Sequence, residues 1–295
     1  MYQYEYKTLH DMMSQADKRN ISLWEVAMHH EMETSEQAEQ DVRRMMASRL
    51  DVFHESIEAG LGDKEKSVSG LVGGDAYRLL GAKAKLLGGL AHKAAVYALA
   101  ISEANAKMFK IVACPTAGSC GILPAVMIAA AEELGTDTEA SINALFMAAG
   151  IGAVVARNAS VAGAVGGCQA ECGTAAAMAA AAAVELAGGT NDEIIQGFSL
   201  CMKNTLGLAC DPVAGLVEVP CVKRNACLAV MAVAAAEMAL AGIKSVIPPD
   251  EIIEAMASIG HMMPVALKET SEGGLARTAT GKAIAERLEK SMQNE

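Results

Sequence analysis

Aromatic residues are scarce in this 295-residue chain: one Trp, five Tyr and four Phe make up 3% of it, against 52% hydrophobic residues in all. A core of that makeup must be built from Ala, Val, Ile, Leu and Met, whose small side chains let helices pack at short interaxial distances. Basic charge is in deficit, with 24 Lys and Arg against 35 Asp and Glu and a net charge of −11. That balance excludes the clustered cationic surface needed to hold a nucleic acid. No C-x-x-C pair occurs and none of the six histidines has metal-site spacing, so a compact zinc site is also excluded. Residues 1–7 lack the basic end and apolar stretch of a secretory signal, which predicts a cytoplasmic protein. In that compartment the eight cysteines are free thiols or metal ligands rather than disulfides. The most apolar run, residues 226–243, contains Glu237 and is rich in Ala. It only reaches the roughly 17 to 20 residues a membrane span needs, so no membrane insertion is expected.

What the chain does have is helical periodicity. Ser22 and Glu25 have capping-box spacing ahead of a helical run over residues 26–59, in which Val42, Met45, Met46, Leu50 and Phe53 recur on one face. That face has no evident cover within the chain, and residues 1–60 are expected to pack on the remainder or on a partner. A Gly- and Ser-rich loop at 60–75 precedes a helical stretch over 76–107, interrupted at Gly81, Gly88 and Gly89. Beyond Lys110, helices are predicted near 121–134, 139–157, 169–186, 192–206, 222–241 and 251–259, each preceded by a turn dense in Gly, Pro, Asn, Ser or Cys. Thr190 with Glu193 forms a second capping box, and Pro248-Pro249-Asp250 marks a helix entry. No Val/Ile/Thr alternation supports a sheet. The expected fold is all-α, with residues 1–295 forming a single helical domain.

Three cysteines occur where such turns meet helices: Cys168 in Gly166-Gly167-Cys168-Gln169-Ala170-Glu171, Cys210 in Leu208-Ala209-Cys210-Asp211-Pro212, and Cys221 in Val219-Pro220-Cys221-Val222-Lys223-Arg224-Asn225. Spacing alone leaves two readings open, buried core thiols or converging metal ligands. Cys172, Cys201 and Cys227 fall inside helical stretches and read as structural, although Cys172 lies one turn after Cys168 and could point the same way. The turn Thr116-Ala117-Gly118-Ser119 leads into a helix, where free N–H groups favour a carboxylate or serve as an ordinary cap.

The surroundings of these residues decide more than their spacing. The stretches 158–171, 204–225 and 269–276, with Cys114-Pro115-Thr116-Ala117-Gly118-Ser119-Cys120-Gly121-Ile122-Leu123-Pro124, closely resemble the bacterial iron–sulfur L-serine dehydratases. The resemblance covers nearly the whole chain. It implies that Cys168, Cys210 and Cys221 hold a 4Fe–4S cluster with one iron lacking a protein thiolate. It also implies that L-serine loses water there to give pyruvate and ammonia, in amino-acid catabolism feeding gluconeogenesis. Thr116, Ala117, Gly118 and Ser119, with Ser69, Gly73, Gly74, Arg157 and Asn225, are the substrate-binding candidates, and Asn158, Ser160, Thr270 and Ser271 are the catalytic ones. Lys223 and Arg224 are cations suited to offset cluster charge. Pyridoxal phosphate, the usual cofactor of such eliminations, is not expected, since no lysine-centred phosphate pocket is evident.

Single-chain members of the family carry an additional N-terminal α/β region with a Ser-Ser-His-Thr motif that this chain lacks. The resemblance is therefore to the α chain of the two-chain type, with a separate β chain as partner. Two alternatives remain: a lyase of the L-cysteine desulfidase kind, and a non-catalytic iron–sulfur carrier.

Overall fold

The computed structural model describes residues 2–292; Met1 and residues 293–295 of the expected domain lie outside the described residues. Thirteen α-helices and no strand are found among them. The first is α1 (Leu9–Arg19), followed by α2 (Leu23–Ser35), α3 (Glu39–Gly62), α4 (Asp75–Gly81) and α5 (Gly89–Ala106). Next come α6 (Ile122–Leu134), α7 (Thr138–Asn158), the short α8 (Gly163–Gly166), α9 (Thr174–Leu186) and α10 (Asn191–Lys203). The chain closes with α11 (Cys221–Leu240), α12 (Pro249–Met262) and α13 (Ala279–Met292).

Both expected capping boxes form: Ser22 N–H donates to Glu25 at 2.8 Å, and Thr190 N–H to Glu193 at 2.7 Å. The single run expected over 26–59 is instead two helices, because Glu36 takes the left-handed region at φ 56° and ends α2. The stretch over 76–107 divides at Gly81 and Gly88, as its glycines suggest; α1 lies in the 1–60 segment expected to be helical, and α13 was not foreseen.

Alanine-rich α9 is the centre of the molecule, buried along nearly its whole length and packed against α6, α7, α10 and α11. The small side chains required by the scarcity of aromatics make this possible. Where α3 crosses α5 the backbones are so close that a Cβ on Gly60 would fall 2.0 Å from the Ala100 carbonyl oxygen. The apolar face of α3 does not await a partner. Val42, Met46, Leu50 and Phe53 are all buried within the chain, where α3 packs on α5 and α7, so that basis for an interface is corrected. Burial of each such large side chain contributes about 2 kcal/mol.

Two windows, Ala117–Leu134 and Thr138–Asn158, match a membrane span in length and hydropathy, and 67% of each is buried inside the protein. They are core helices here, and the 226–243 run is not one of them.

Candidate functional site

The turns that end α8 and begin α11 bring the three cysteines to one end of α9. Gly167, at φ 75°, turns the chain after α8, and Cys168 opens a π-helical turn over Gln169–Gly173 that continues into α9. Such turns recur at functional sites because the extra residue re-aims side chains. Gln169 fixes this one: its amide donates to Gly166 O at 2.9 Å and Met256 O at 3.0 Å, and its Oε1 accepts from Gly207 N–H at 2.9 Å. Gln169 thereby ties Cys168 to the segment that carries Cys210. Cys210 forms an isolated parallel bridge with Lys268, donating to Leu267 O at 2.9 Å and accepting from Glu269 N–H at 3.0 Å. Cys221 is the first residue of α11. All three are buried and free.

Cys168 is the electrostatic centre of the group. The neighbouring thiols of Cys172 and Cys210, with the Arg224 guanidinium, hold its thiol well below the ordinary range, against the opposing effect of burial. The same contacts push Cys210 and Cys172 up, and burial pushes Cys221 up to about 12. The Arg224 guanidinium is the cation beside these sulfurs. Arg224 is held in place by Ala209 O at 2.9 Å and by Asp211 at 3.2 Å, and Asp211 also accepts from Leu275 N–H at 2.8 Å. Cys172 does point toward Cys168. Ligand atoms of Cys168, Glu171 and Cys172 all lie within 4.8 Å of one another.

Thr116 caps a 3-10 turn over Ala117–Ser119 and donates a short hydrogen bond to Glu171 Oε1. Asn225, fully buried, joins this turn to α11: its amide donates to Gly118 O at 2.8 Å and Cys221 O at 2.9 Å, and its Oδ1 accepts from Gly121 N–H at 3.0 Å. Burial, moderated by the Thr116 hydrogen bond, pushes Glu171 up to about 7.

The other candidates are less central. Ser69 donates to Glu218 at 2.6 Å, Gly73 and Gly74 take positive φ, and Gly74 N–H donates to the buried Glu103 carboxylate at 3.1 Å. Thr270 bonds to Val265 O at 3.0 Å and Ser271 to Pro212 O at 2.7 Å, so the 264–277 segment is latched beside Cys210. Ser160 accepts from Ala162 N–H at 3.1 Å within its own loop. Arg157 and Asn158 turn the other way, donating to Tyr6 O at 3.4 Å and Lys7 O at 2.7 Å. Lys223 pairs with Asp75 at 2.5 Å rather than joining Arg224. A cavity of about 550 Å³ borders the site through Cys114, Pro115 and Val161, and another of about 1170 Å³ through Ser69, Glu218 and Ser271.

The family model of the serine dehydratase alpha chain matches residues 18–276, a span that contains every candidate site residue. The chain belongs to this family. It is 46% identical over 286 residues to the probable L-serine dehydratase, alpha chain, of Bacillus subtilis (strain 168), covering 96% of this chain and 95% of that protein. It is 40% identical over 280 residues to the L-serine dehydratase, alpha chain, of Peptoniphilus asaccharolyticus, covering 94% and 96%. The L-serine dehydratase TdcG of Escherichia coli (strain K12) is 36% identical over 287 residues, covering 92% of this chain but 62% of that longer protein.

In this serine dehydratase alpha chain, sequence reasoning assigned no role to Glu171, Asp211 or Glu269. Glu171 was legible in principle: an acid three residues after Cys168 in an otherwise apolar Ala-rich stretch is an expensive thing to bury. Asp211 and Glu269 carry no such signal, because only the fold brings 211 and 269 beside 168.

Proposed function

We propose that the chain is the α chain of a two-chain L-serine dehydratase, in which Cys168, Cys210 and Cys221 hold a 4Fe–4S cluster with one iron free of protein thiolate. The donor chemistry fits: soft, buried, unpaired sulfurs converge beside Arg224, whose charge offsets that of thiolates and sulfides. That convergence is the observation that carries the reading. When bound, such a cluster supplies Lewis-acid polarisation of a substrate hydroxyl, which eases departure of hydroxide.

The chain's own groups do the rest. The turn at Thr116, Ala117, Gly118 and Ser119, steadied by Asn225, receives the substrate carboxylate. Ser69, Gly73 and Gly74 on one side and Thr270 and Ser271 on the other border the approach. Ser160 shapes the loop before α8, while Arg157 and Asn158 anchor the N-terminal segment behind it. Net conversion is L-serine to pyruvate and ammonia, the water lost in elimination being regained on hydrolysis. Relatives named as alpha chains support a separate β chain, which would bring the Ser-Ser-His-Thr segment. Eight unpaired cysteines suit a reducing, cytoplasmic setting.

Anaerobic reconstitution with iron and sulfide, addition of the β chain, and assay with L-serine, L-threonine and L-cysteine test the reading. Pyruvate from L-serine supports it; sulfide release from L-cysteine alone points to the desulfidase, and bound iron without turnover to the carrier.

A further inference from the structure

Two carboxylates face the cysteine pocket, the buried Glu171 and the exposed Glu269, and neither has a salt-bridge partner among the described residues. Glu171 is 8% exposed, and among the described residues it has no salt-bridge partner. Its Oε1 accepts from Thr116, whereas its Oε2 accepts no hydrogen bond among the described residues. The fold makes room for this group at two glycines. A Cβ on Gly118 would fall 2.5 Å from Glu171 Oε1. A Cβ on Gly163 would lie 3.1 Å from Glu171 Oε2, 3.2 Å from Cys210 Sγ and 3.2 Å from Glu269 Oε2, so these three atoms surround one point. Glu269 is aimed there by a backbone in the left-handed region, at φ 41°, which a side-chain-bearing residue adopts only when its surroundings require it. Arg224 acts on Glu171 only at a distance and makes no ion pair with it, its guanidinium being bonded to Asp211 and Cys168.

An uncompensated buried carboxylate is costly, and three thiolates would add to the negative charge. The geometry calls for a small cation with several hydrogen-bond donors, beside the sulfurs and next to the turn that takes a carboxylate. An α-amino acid carries such a cation on the carbon adjacent to its carboxylate. We propose that Glu171, positioned by Thr116 and assisted by Glu269, receives the α-ammonium group of the substrate and selects amino acids over hydroxy acids. This inference rests on the amino-acid lyase reading above. It assigns Glu171 a binding role and Thr116 a positioning one.

The test uses the anaerobic holoenzyme of α chain, β chain and cluster, with calorimetric titration of two non-reacting ligands. D-Serine carries the ammonium; D-glycerate has a hydroxyl in its place. Glu171→Gln is expected to weaken D-serine binding by about tenfold or more, as loss of one charge-assisted contact does, and to leave D-glycerate within about twofold. Thr116→Val is expected to weaken D-serine selectively by a smaller factor, and Glu171→Asp to restore part of the loss. Equal weakening of both ligands, or unchanged D-serine affinity at wild-type iron content, overturns the proposal. Should Glu171→Gln lose iron or helicity, Thr116→Val and Glu171→Asp decide it: a selective D-serine loss in either supports it, and none in both overturns it. A wild-type holoenzyme that fails to convert L-serine would sink the functional reading instead, a result distinct from an active enzyme indifferent to Glu171.

Discussion

Asn225 on α11 donates to the carbonyl of Gly118, 2.8 Å away, and so holds the Thr116–Ser119 turn against the helix that starts at Cys221. Neither neighbourhood keeps its position alone, since the same amide also reaches Cys221 O at 2.9 Å and the Asn225 carbonyl oxygen takes Gly121 N–H at 3.0 Å. Replacing the fully buried Asn225 with Ala strands the donors and acceptors it now satisfies. The expected destabilisation is roughly 3 kcal/mol, read from the midpoint of urea unfolding. A change near zero would mean that the turn is held by other contacts.

The proposed ligand set divides the cysteines into ligands and bystanders. Cys172 and Cys201 are both fully or nearly fully buried, but the proposed cluster uses neither. Cys172→Ala and Cys201→Ala are expected to keep the wild-type iron and sulfide content after reconstitution, each losing about 1 kcal/mol of packing. Loss of iron in Cys172→Ala alone would move that thiol, which already points at Cys168, into the ligand set.

Glu185 predicts a pH effect away from the site. Burial, reinforced by Glu25, raises its carboxyl from 4.5 to about 7. Because the folded value lies above the unfolded one, its contribution to stability is fully present below about pH 4.5 and is lost as pH rises through about 7. Glu185→Gln should therefore resist urea better than wild type at pH 8.5, with the advantage shrinking at pH 5.5. An advantage that does not change with pH would show that the two forms of Glu185 are equally tolerated by the fold.

A further expectation concerns the partner. Purified α chain with its cluster should yield little pyruvate from L-serine, and addition of the β chain should restore turnover. Full activity of the α chain alone would place every required group within these 295 residues.

Much of the fold could be read in advance where a local device sets the structure. The Ser22–Glu25 and Thr190–Glu193 boxes, the proline-led start of α12, and the Ala-rich core helices all follow from short-range rules. The break at Glu36 escaped because a charged residue in the left-handed region has no composition signal, and α13 escaped because its sequence is polar on average and follows the turn residues Gly273-Gly274. Within the site, the long motifs around Cys168, Cys210 and Cys221 were legible. The π-helical turn, the Arg224–Asp211 pair and the approach of Glu269 were not, since each depends on segments far apart in the chain.

The most direct test of the account is iron and sulfide content, measured together with pyruvate formation from L-serine, for anaerobically reconstituted wild type and the single variants Cys168→Ala, Cys210→Ala and Cys221→Ala, each with the β chain. The account predicts a full cluster and turnover in the wild type, and loss of both in every variant. A Cys210→Ala protein that keeps its iron, its sulfide and its turnover would contradict it.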